Sequence, residues 1–588
     1  MRMGFRSMLT SILFCEVALC SPFPDEVGDF ALLDQNGKFH QLSEYGEKKA
    51  AVFLAIDKQC QKNTKHLTQY SKLRSAFQAE EIVFFAIDST GKEIHAGGSF
   101  NDATHGTQLS ILIDDSQLIA ESLGIKSAGE VVVIEPETGV VFYRGGMGFE
   151  ASQPMDKKTV DAKKSTPAFF DTLRDISSGE IDRGLAPIER ETLGCDLDFT
   201  YLVEQSDNLP DYATDVAPLL VQKCVTCHFR GGIAPFAMDS HEMVKGWSSM
   251  IKEVLLTKRM PPAQVDPSIN HFSNARYMES SELQTLIGWI NGGSPRGESL
   301  EDPLEYIQPI ESLWQLGEPD YIVELPTYKV PATGILDYEN VSIELPFTKD
   351  VWIKSVQFIP GDRRVLHHLM SYIAPAASIE QIAVGANDDA WSFLEGYAPG
   401  KEDAAIYPKD TGVFVPTGSA IHMSLHYTTF GQEAVDQTRI GLYFNDEEPR
   451  FEYLTYALSH GGSNILIPPN AKEHLNSASH IFEDEIILHG LRPHMHYRGK
   501  YMRMIVEYPN GSTEDIINVP NYNFAWQPTY RLTKPMALPA GSRVTIEGAF
   551  DNSRYNLGNP DPDSWVRGGA QSWNEMFIGY FSYHKVLH

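Results

Sequence analysis

Apolar and polar positions follow three different rhythms along the chain. Between 29 and 145, short unbroken apolar runs are separated by amphipathic stretches. Lys49 to Ile56, Glu81 to Ile87 and Ser110 to Ile113 read as buried strands, and Thr64 to Gln78 and Gln117 to Leu123 as helices. Glu130 to Ile134 and Val140 to Arg144 form a hairpin pattern across Glu137-Thr138-Gly139. Strand–helix–strand order closing on a hairpin predicts an α/β sandwich. From 196 to 304 the spacing becomes helical, with helices over Tyr212 to Lys223, Met243 to Leu256 and Ser281 to Asn291. Beyond 305 short strand-like runs alternate with Pro, Gly, Asn and Asp turns. The clearest are Leu325 to Pro346, Val351 to Phe358, Ala420 to Tyr427, Arg439 to Phe444, Glu485 to Leu491, Met502 to Tyr508 and Arg543 to Phe550. That length of all-β pattern predicts two sandwiches, 305–455 and 456–588.

At 588 residues the chain is too long for one core. Its formal net charge of -30 argues against nucleic acid and against an anionic membrane surface as partners. A solvated acidic surface is the simpler reading of that charge. Arg2 and Arg6 precede the apolar run Met8 to Leu19, too short to span a bilayer and shaped like a secretory signal over 1–20. Lipidation of Cys20 is the alternative processing. No other segment approaches 18 uninterrupted apolar residues, so no transmembrane segment is expected, and the mature chain belongs in the periplasm or outside the cell.

All cysteines lie at or before position 227. Cys224-Val225-Thr226-Cys227-His228 has the spacing of a c-type haem attachment site: two thiols to bond the porphyrin and a histidine to reach the iron. No second CxxC exists to complete a zinc site. The helical setting of 196–304 resembles class I cytochrome c, which implies a methionine as sixth ligand. Met260-Pro261-Pro262 matches that pattern, with Met238, Met243 and Met250 as competitors. A haem with both axial positions filled implies electron transfer, not oxygen binding.

The segment 21–195 resembles the redoxin branch of the thioredoxin-like fold through Asp29-Phe30-Ala31-Leu32-Leu33-Asp34, through Cys60 after the first long strand, and through Phe142-Tyr143-Arg144-Gly145. The expected proline after the thiol is replaced in Cys60-Gln61-Lys62-Asn63. The peroxidase threonine is Asp57, and the proline facing the thiol is Gly129. With these groups gone nothing evident lowers the Cys60 pKa. The domain is therefore expected to be a scaffold, with Cys60 either buried or paired with Cys195.

Histidines of the last half fall in metal-ligand spacings: His367-His368, His422 and His426, and His494-Met495-His496, followed by Met576. Imidazoles with one thioether and no thiolate suit copper cycling between two oxidation states. In this order the residues resemble the copper-dependent monooxygenase family of peptidylglycine hydroxylase and dopamine β-hydroxylase. The resemblance implies that His367, His368 and His426 bind one copper ion, and that His494, His496 and Met576 bind a second, where O2 is activated. Arg492 and Tyr580 fall where the peptide-hydroxylating member grips a carboxylate, which implies a small-molecule or peptide-like substrate. The asparagine that partners them there is Ile578 here, and a glutamine before the third histidine is Ser424. His422, His460, His474, His480 and His489 are expected to be surface or packing residues.

The expectation is thus a multi-domain chain: an α/β thioredoxin-like domain, an all-α cytochrome c domain (196–304) and two all-β jelly-roll-type sandwiches. Its expected function is an exported copper monooxygenase with two copper ions and one covalent haem c fed by a periplasmic donor. The rival is a non-catalytic electron-transfer or copper-binding module within a larger assembly.

Overall fold

A computed structural model describes residues 25–60, 63–77, 81–91, 109–148, 168–184, 186–192, 194–262, 264–299, 301–307, 314–376, 392–398 and 404–586. The expected leader, with Cys20, lies outside the described residues.

The N-terminal domain is built on a sheet of eight strands among the described residues. Their order is Phe39–Gln41, Ala31–Asp34, Ser110–Ile113, Ile82–Asp88, Ala50–Ile56, Glu130–Ile134, Val141–Gly146 and Ile188–Arg190. The central strand Ala50–Ile56 is buried along its whole length and pairs parallel with Ile82–Asp88. A strand covered on both faces has no polar side to show, which is why it reads as an unbroken apolar run. One apolar cluster fills each face: Val52, Leu54 and Tyr70 on one, Phe53, Phe85 and Ile119 on the other. Cys60 is bonded to Cys195, with 5.9 Å between their Cα atoms, so of the two states left open by the sequence the paired one is found. The short strand Cys195–Asp196 lies antiparallel to Ser127–Ala128, immediately before Gly129.

A helical segment follows. Asp211 caps its first turn by accepting from the Ala213 and Thr214 amides, and helical turns then run from Tyr212 to Val225. The single helix expected over Met243 to Leu256 is two, His241–Gly246 and Ser248–Leu256, broken at Trp247. Ser280–Asn291 opens with a reciprocal capping box between Glu279 and Glu282. Tyr212, Leu220, Leu286 and Trp289 form the core of this segment. Its loop onward from Val265 crosses to the last domain, where Phe272 pairs with Leu532 and both Val265 and Phe272 enter that domain's core. Among the described residues no helix is long and apolar enough to cross a membrane.

The C-terminal region is all-β. In its first half, the sheet Glu339–Glu344, Ser419–Tyr427, Leu366–Pro375, Ser392–Tyr397 packs on one containing Val351–Ile359, Thr411–Val415 and Arg439–Phe444. In its second half, the sheet Leu454–Ser459, Ile578–Lys585, Ile486–His494, Tyr530–Leu538 packs on His474–Ile481, Arg543–Phe550, Gly499–Glu507, Thr513–Val519. The strand expected over Leu325 to Pro346 is instead two, Tyr328–Val330 and Glu339–Glu344, with a further strand, Tyr321–Glu324, ending just before it; Pro326 and Pro331 cannot donate to a ladder.

Two of these sheets meet face to face. Leu369 and Ile373 point into their own sandwich, whereas Met370 and Tyr372 join Phe393, Met576, Ile578 and Tyr580 in a cluster between the sandwiches. On Ile486–His494, Leu488 and Leu491 face the core while Arg492 and His494 are buried outside it. Alternating side chains thus create a buried polar layer between two apolar cores.

Candidate metal centre

Consecutive side chains on a regular strand point to opposite faces, so adjacent histidines should not reach one target. Here a β-bulge intervenes: Leu366 faces Tyr427 and His368 faces His426, leaving His367 as the extra residue. The bulge re-aims that extra side chain. Ring centroids are consequently 5.2 Å apart for His367 and His368, 5.2 Å for His367 and His426, and 4.9 Å for His368 and His426. One nitrogen from each ring lies within 4.8 Å of the others. Tyr338 stacks on His426 at 4.9 Å and its hydroxyl meets His368 Nε2 at 2.7 Å. His426 Nδ1 is buried with no hydrogen-bond partner among the described residues.

The second expected group assembles across the layer. His494 ends its strand, His496 follows in the turn, and their rings are 5.3 Å apart. Each has its Nδ1 occupied: His494 by the Gln527 side-chain oxygen at 2.5 Å, and His496 by the Asn574 carbonyl at 3.1 Å. The buried Glu575 carboxyl accepts from the His496 amide at 2.8 Å and the Arg498 amide at 2.6 Å, tying the His-x-His turn to the residue before Met576. His494, His496 and Met576 line one cleft of about 50 Å³, and His368 of the first group lines it too. Phe524 stands between the groups, its ring 5.4 to 5.8 Å from His367, His368, His426 and His496.

Both groups fit a soft-to-borderline cation. Burial pushes His367 down to about 4 and His496 to about 4. Burial, then the neighbouring His367 and His496, pushes His426 down to about 3. Neutral imidazoles keep a lone pair for a metal, and the orphaned His426 nitrogen is one such pair. The sign of the pH effect follows. A histidine depressed below its ordinary 6.5 binds fewer protons folded than unfolded, so folding stability falls as pH drops from about 6.5 towards 4. Denaturant midpoints of the metal-free C-terminal transition at pH 7, 6 and 5 should therefore decline steadily, and His426→Asn should flatten that slope. An unchanged slope would mean that these rings do not titrate with unfolding.

Arg492 pairs across the ladder with Tyr580 and is 1% exposed. Its Nε and Nη1 have no hydrogen-bond partner among the described residues, and its guanidinium lies 5.8 Å from the Phe393 ring centre. A buried guanidinium with two unmade bonds is costly unless an anion arrives. Ile578, beside His494 in the ladder, adds no polar group.

In the helical segment, His228 and Cys227 both donate their amides to the Cys224 carbonyl, so one helical turn carries all three side chains. His228 is buried, and its Nδ1 meets the Phe236 carbonyl at 3.0 Å, which leaves Nε2 for an axial bond. Met260 is exposed, on the wall of a cavity of about 790 Å³ that also receives His367 and His426. Met243 and Met250 are exposed and Met238 is buried. Arg276 donates to Thr226 Oγ1 at 2.6 Å and lies 5.0 Å from the Trp526 ring, linking the CxxCH turn to the loop that holds Phe524.

His422 bonds Ser342 and His489 bonds His584, as packing residues do. Tyr338, Phe524, Gln527 and Glu575 were not foreseen. None belongs to a short motif; Tyr338, Phe524 and Gln527 reach the site from distant segments, and Glu575 stands next to Met576 but acts on the remote His496 and Arg498 amides.

Residues 24–145 match the AhpC/TSA family, so the N-terminal domain is thioredoxin-like. No curated protein matches the chain. Among solved structures, the chain is similar to the pneumococcal exposed lipoprotein thioredoxin (Etrx1) from Streptococcus pneumoniae strain TIGR4. That likeness has 22% identity, covers 25% of this chain and 99% of that one, and has a TM-score of 0.20. Peroxidoxin BcpB from Mycobacterium tuberculosis is 20% identical over 26% of this chain and 97% of that one, TM-score 0.21. A thiol:disulfide interchange protein DsbE from Chlorobium tepidum is 16% identical over 26% and 95%, TM-score 0.20.

Proposed function

We propose that the chain is an exported copper-dependent monooxygenase that hydroxylates a C–H bond and carries its own cytochrome c segment. The observation that supports this best is the bulge that gathers His367, His368 and His426, with His494, His496 and Met576 across one cleft. Copper held by the two groups would supply O2 reduction and one-electron storage, and haem c on Cys224, Cys227 and His228, with Met260 the expected sixth ligand, would supply electrons from a periplasmic donor. The net change is R–H plus O2, two electrons and two protons to R–OH and water.

The chain's own residues set the conditions. The Tyr338 hydroxyl and the Asn574 carbonyl hold ring orientations, and a ring so held loses little freedom on binding a metal. Met370, Phe393, Phe524 and Ile578 exclude water from the layer. Arg492, backed by Tyr580, offers two unused donors to a substrate carboxylate.

Metal analysis should give one iron and two coppers per chain, and product formed under 18O2 should carry the label. Iron without copper would leave a haem-bearing protein on a β scaffold, the rival reading. Arg492→Met should raise KM for carboxylate-bearing substrates about 10- to 100-fold, the cost of a charge-assisted hydrogen bond. It should also stabilise the substrate-free protein by about 1–3 kcal/mol, because a buried unpaired charge is removed. Equal loss with neutral substrates would mean that the arginine shapes the layer rather than the ligand.

The Cys60–Cys195 disulfide favours a second reading, confined to the N-terminal domain: thiol–disulfide exchange at Cys60. Peroxide or disulfide turnover by the reduced protein, abolished in Cys60→Ser, would establish it; none would leave the domain a scaffold.

A further inference from the structure

Gln527 lies in the loop between Thr513–Val519 and Tyr530–Leu538, 3% exposed, with no part in any motif around the histidines. A buried amide must place both its ends. Its Nε2 donates to the Phe524 carbonyl at 2.8 Å, and that oxygen can only accept. The amide is therefore oriented by the loop's own backbone, with Oε1 turned to His494 Nδ1. An oxygen there can only accept, so Nδ1 carries the ring proton and Nε2 keeps its lone pair.

The same loop grips the His-x-His turn a second time. The Tyr522 hydroxyl donates to the Met495 carbonyl at 2.8 Å and accepts from the Met495 amide at 3.0 Å, clamping the residue between the two ligands. Gly499 lets the ring sit this close, since a Cβ there would lie 2.5 Å from Tyr522 Cδ1.

We infer that Gln527 is a positioning residue of the second copper group: its side-chain oxygen fixes His494 as the Nδ1–H tautomer and so presents Nε2 to the metal. The inference rests on the copper reading above for its consequence, but the tautomer exists without metal. His496 gains the same state from a backbone carbonyl, which no substitution removes. Among the described residues Gln527 is thus the side chain bonded to Nδ1 of one member of the pair, so its replacement acts on that member alone. The chemistry is general: a metal-binding imidazole gains orientation and basicity from the acceptor on its far nitrogen.

The test uses full-length protein in two measurements. In metal-free protein labelled with 15N-histidine, one resonance set assigned by His494→Asn should show a protonated Nδ1. In Gln527→Leu it should shift towards the mixture of tautomers, and in Gln527→Glu it should stay, because a carboxylate oxygen accepts the same proton. In copper competition titrations, Gln527→Leu should weaken one of two equivalents about 10- to 100-fold and leave the other within about threefold. Gln527→Glu should bind both within about threefold of wild type. Unchanged tautomer and affinity in Gln527→Leu would overturn the inference. So would equal losses in Gln527→Leu and Gln527→Glu, which would mark a loop filler. Wild-type protein that shows the Nδ1–H tautomer yet binds no second copper would overturn the copper reading instead.

Discussion

Reducing the Cys60–Cys195 disulfide lowers the melting temperature of the N-terminal domain by roughly 10 °C. The bond closes a loop with a sequence separation of 135, which contains most of the domain's sheet. In the chain-entropy account a loop of that length is worth about 5 kcal/mol, and measured losses run from about 2 to 5 kcal/mol. Cys195 also brings its short strand onto Ser127–Ala128, and the Leu197 amide bonds the Lys126 carbonyl. Those bonds keep the segment near its place after reduction, which moderates the effect without cancelling it. The check is differential scanning calorimetry with and without reductant, beside a Cys60→Ser, Cys195→Ser double variant that should melt low in both. Identical melting of oxidised and reduced protein would mean that docking alone holds the segment.

Glu575→Ala should cost about 2–5 kcal/mol and abolish copper binding at the second group. Glu575 is wholly buried, and burial pushes its carboxyl up to about 8 although backbone amides and Arg498 oppose the shift. Its two oxygens serve different donors, the amides of His496 and Arg498. Alanine orphans both, at about 1–3 kcal/mol for each buried group left unmade. It also removes the acidic side chain packed beside Arg498, whose guanidinium keeps its bonds to Asn552 and the Trp573 carbonyl. Glu575→Gln retains one acceptor and should lose about half as much. Denaturant unfolding of the C-terminal domain measures the first effect and copper stoichiometry the second. Two coppers bound by Glu575→Ala would show that the turn holds its shape without the carboxyl.

The N-terminal domain was legible in the chain because its central strands are apolar throughout. Ala50–Ile56, Ile82–Asp88 and Ser110–Ile113 lie within a residue or so of their expected limits. Among the C-terminal strands, Ser419–Tyr427 was legible although it is buried throughout, because Pro416-Thr417-Gly418 sets it off from what precedes it. Leu366–Pro375 and Ile578–Lys585 are likewise buried on both faces, one in a core and one in the polar layer, so alternation disappears, and they were missed. His474–Ile481 and Thr513–Val519 were missed because as edge strands they carry too many polar residues. The candidate ligands stood out through local spacing, which survives in one dimension. Tyr338, Phe524, Gln527 and Glu575 carry no such mark, because their roles arise from tertiary approach. The arginine without a partner was visible as Arg492, but its isolation was not, since burial and partner count are properties of the folded layer.

The extra residue at His367, second in its strand, exchanges parity there: Leu366 before it and Leu369 after it both face the core. The exchange sends Met370 and Tyr372 to the layer between the sandwiches and Leu369 and Ile373 to the core. Deleting a single residue beside the histidines would therefore do more than remove a ligand. It would restore an even ladder, and the rest of the strand would have to exchange its dry side for its polar one or slip against Ser419–Tyr427 by one place. The paired histidines are thus a phase marker for the sheet as well as a grip for an ion, and a deletion one position away should be felt along the whole contact between the two sandwiches.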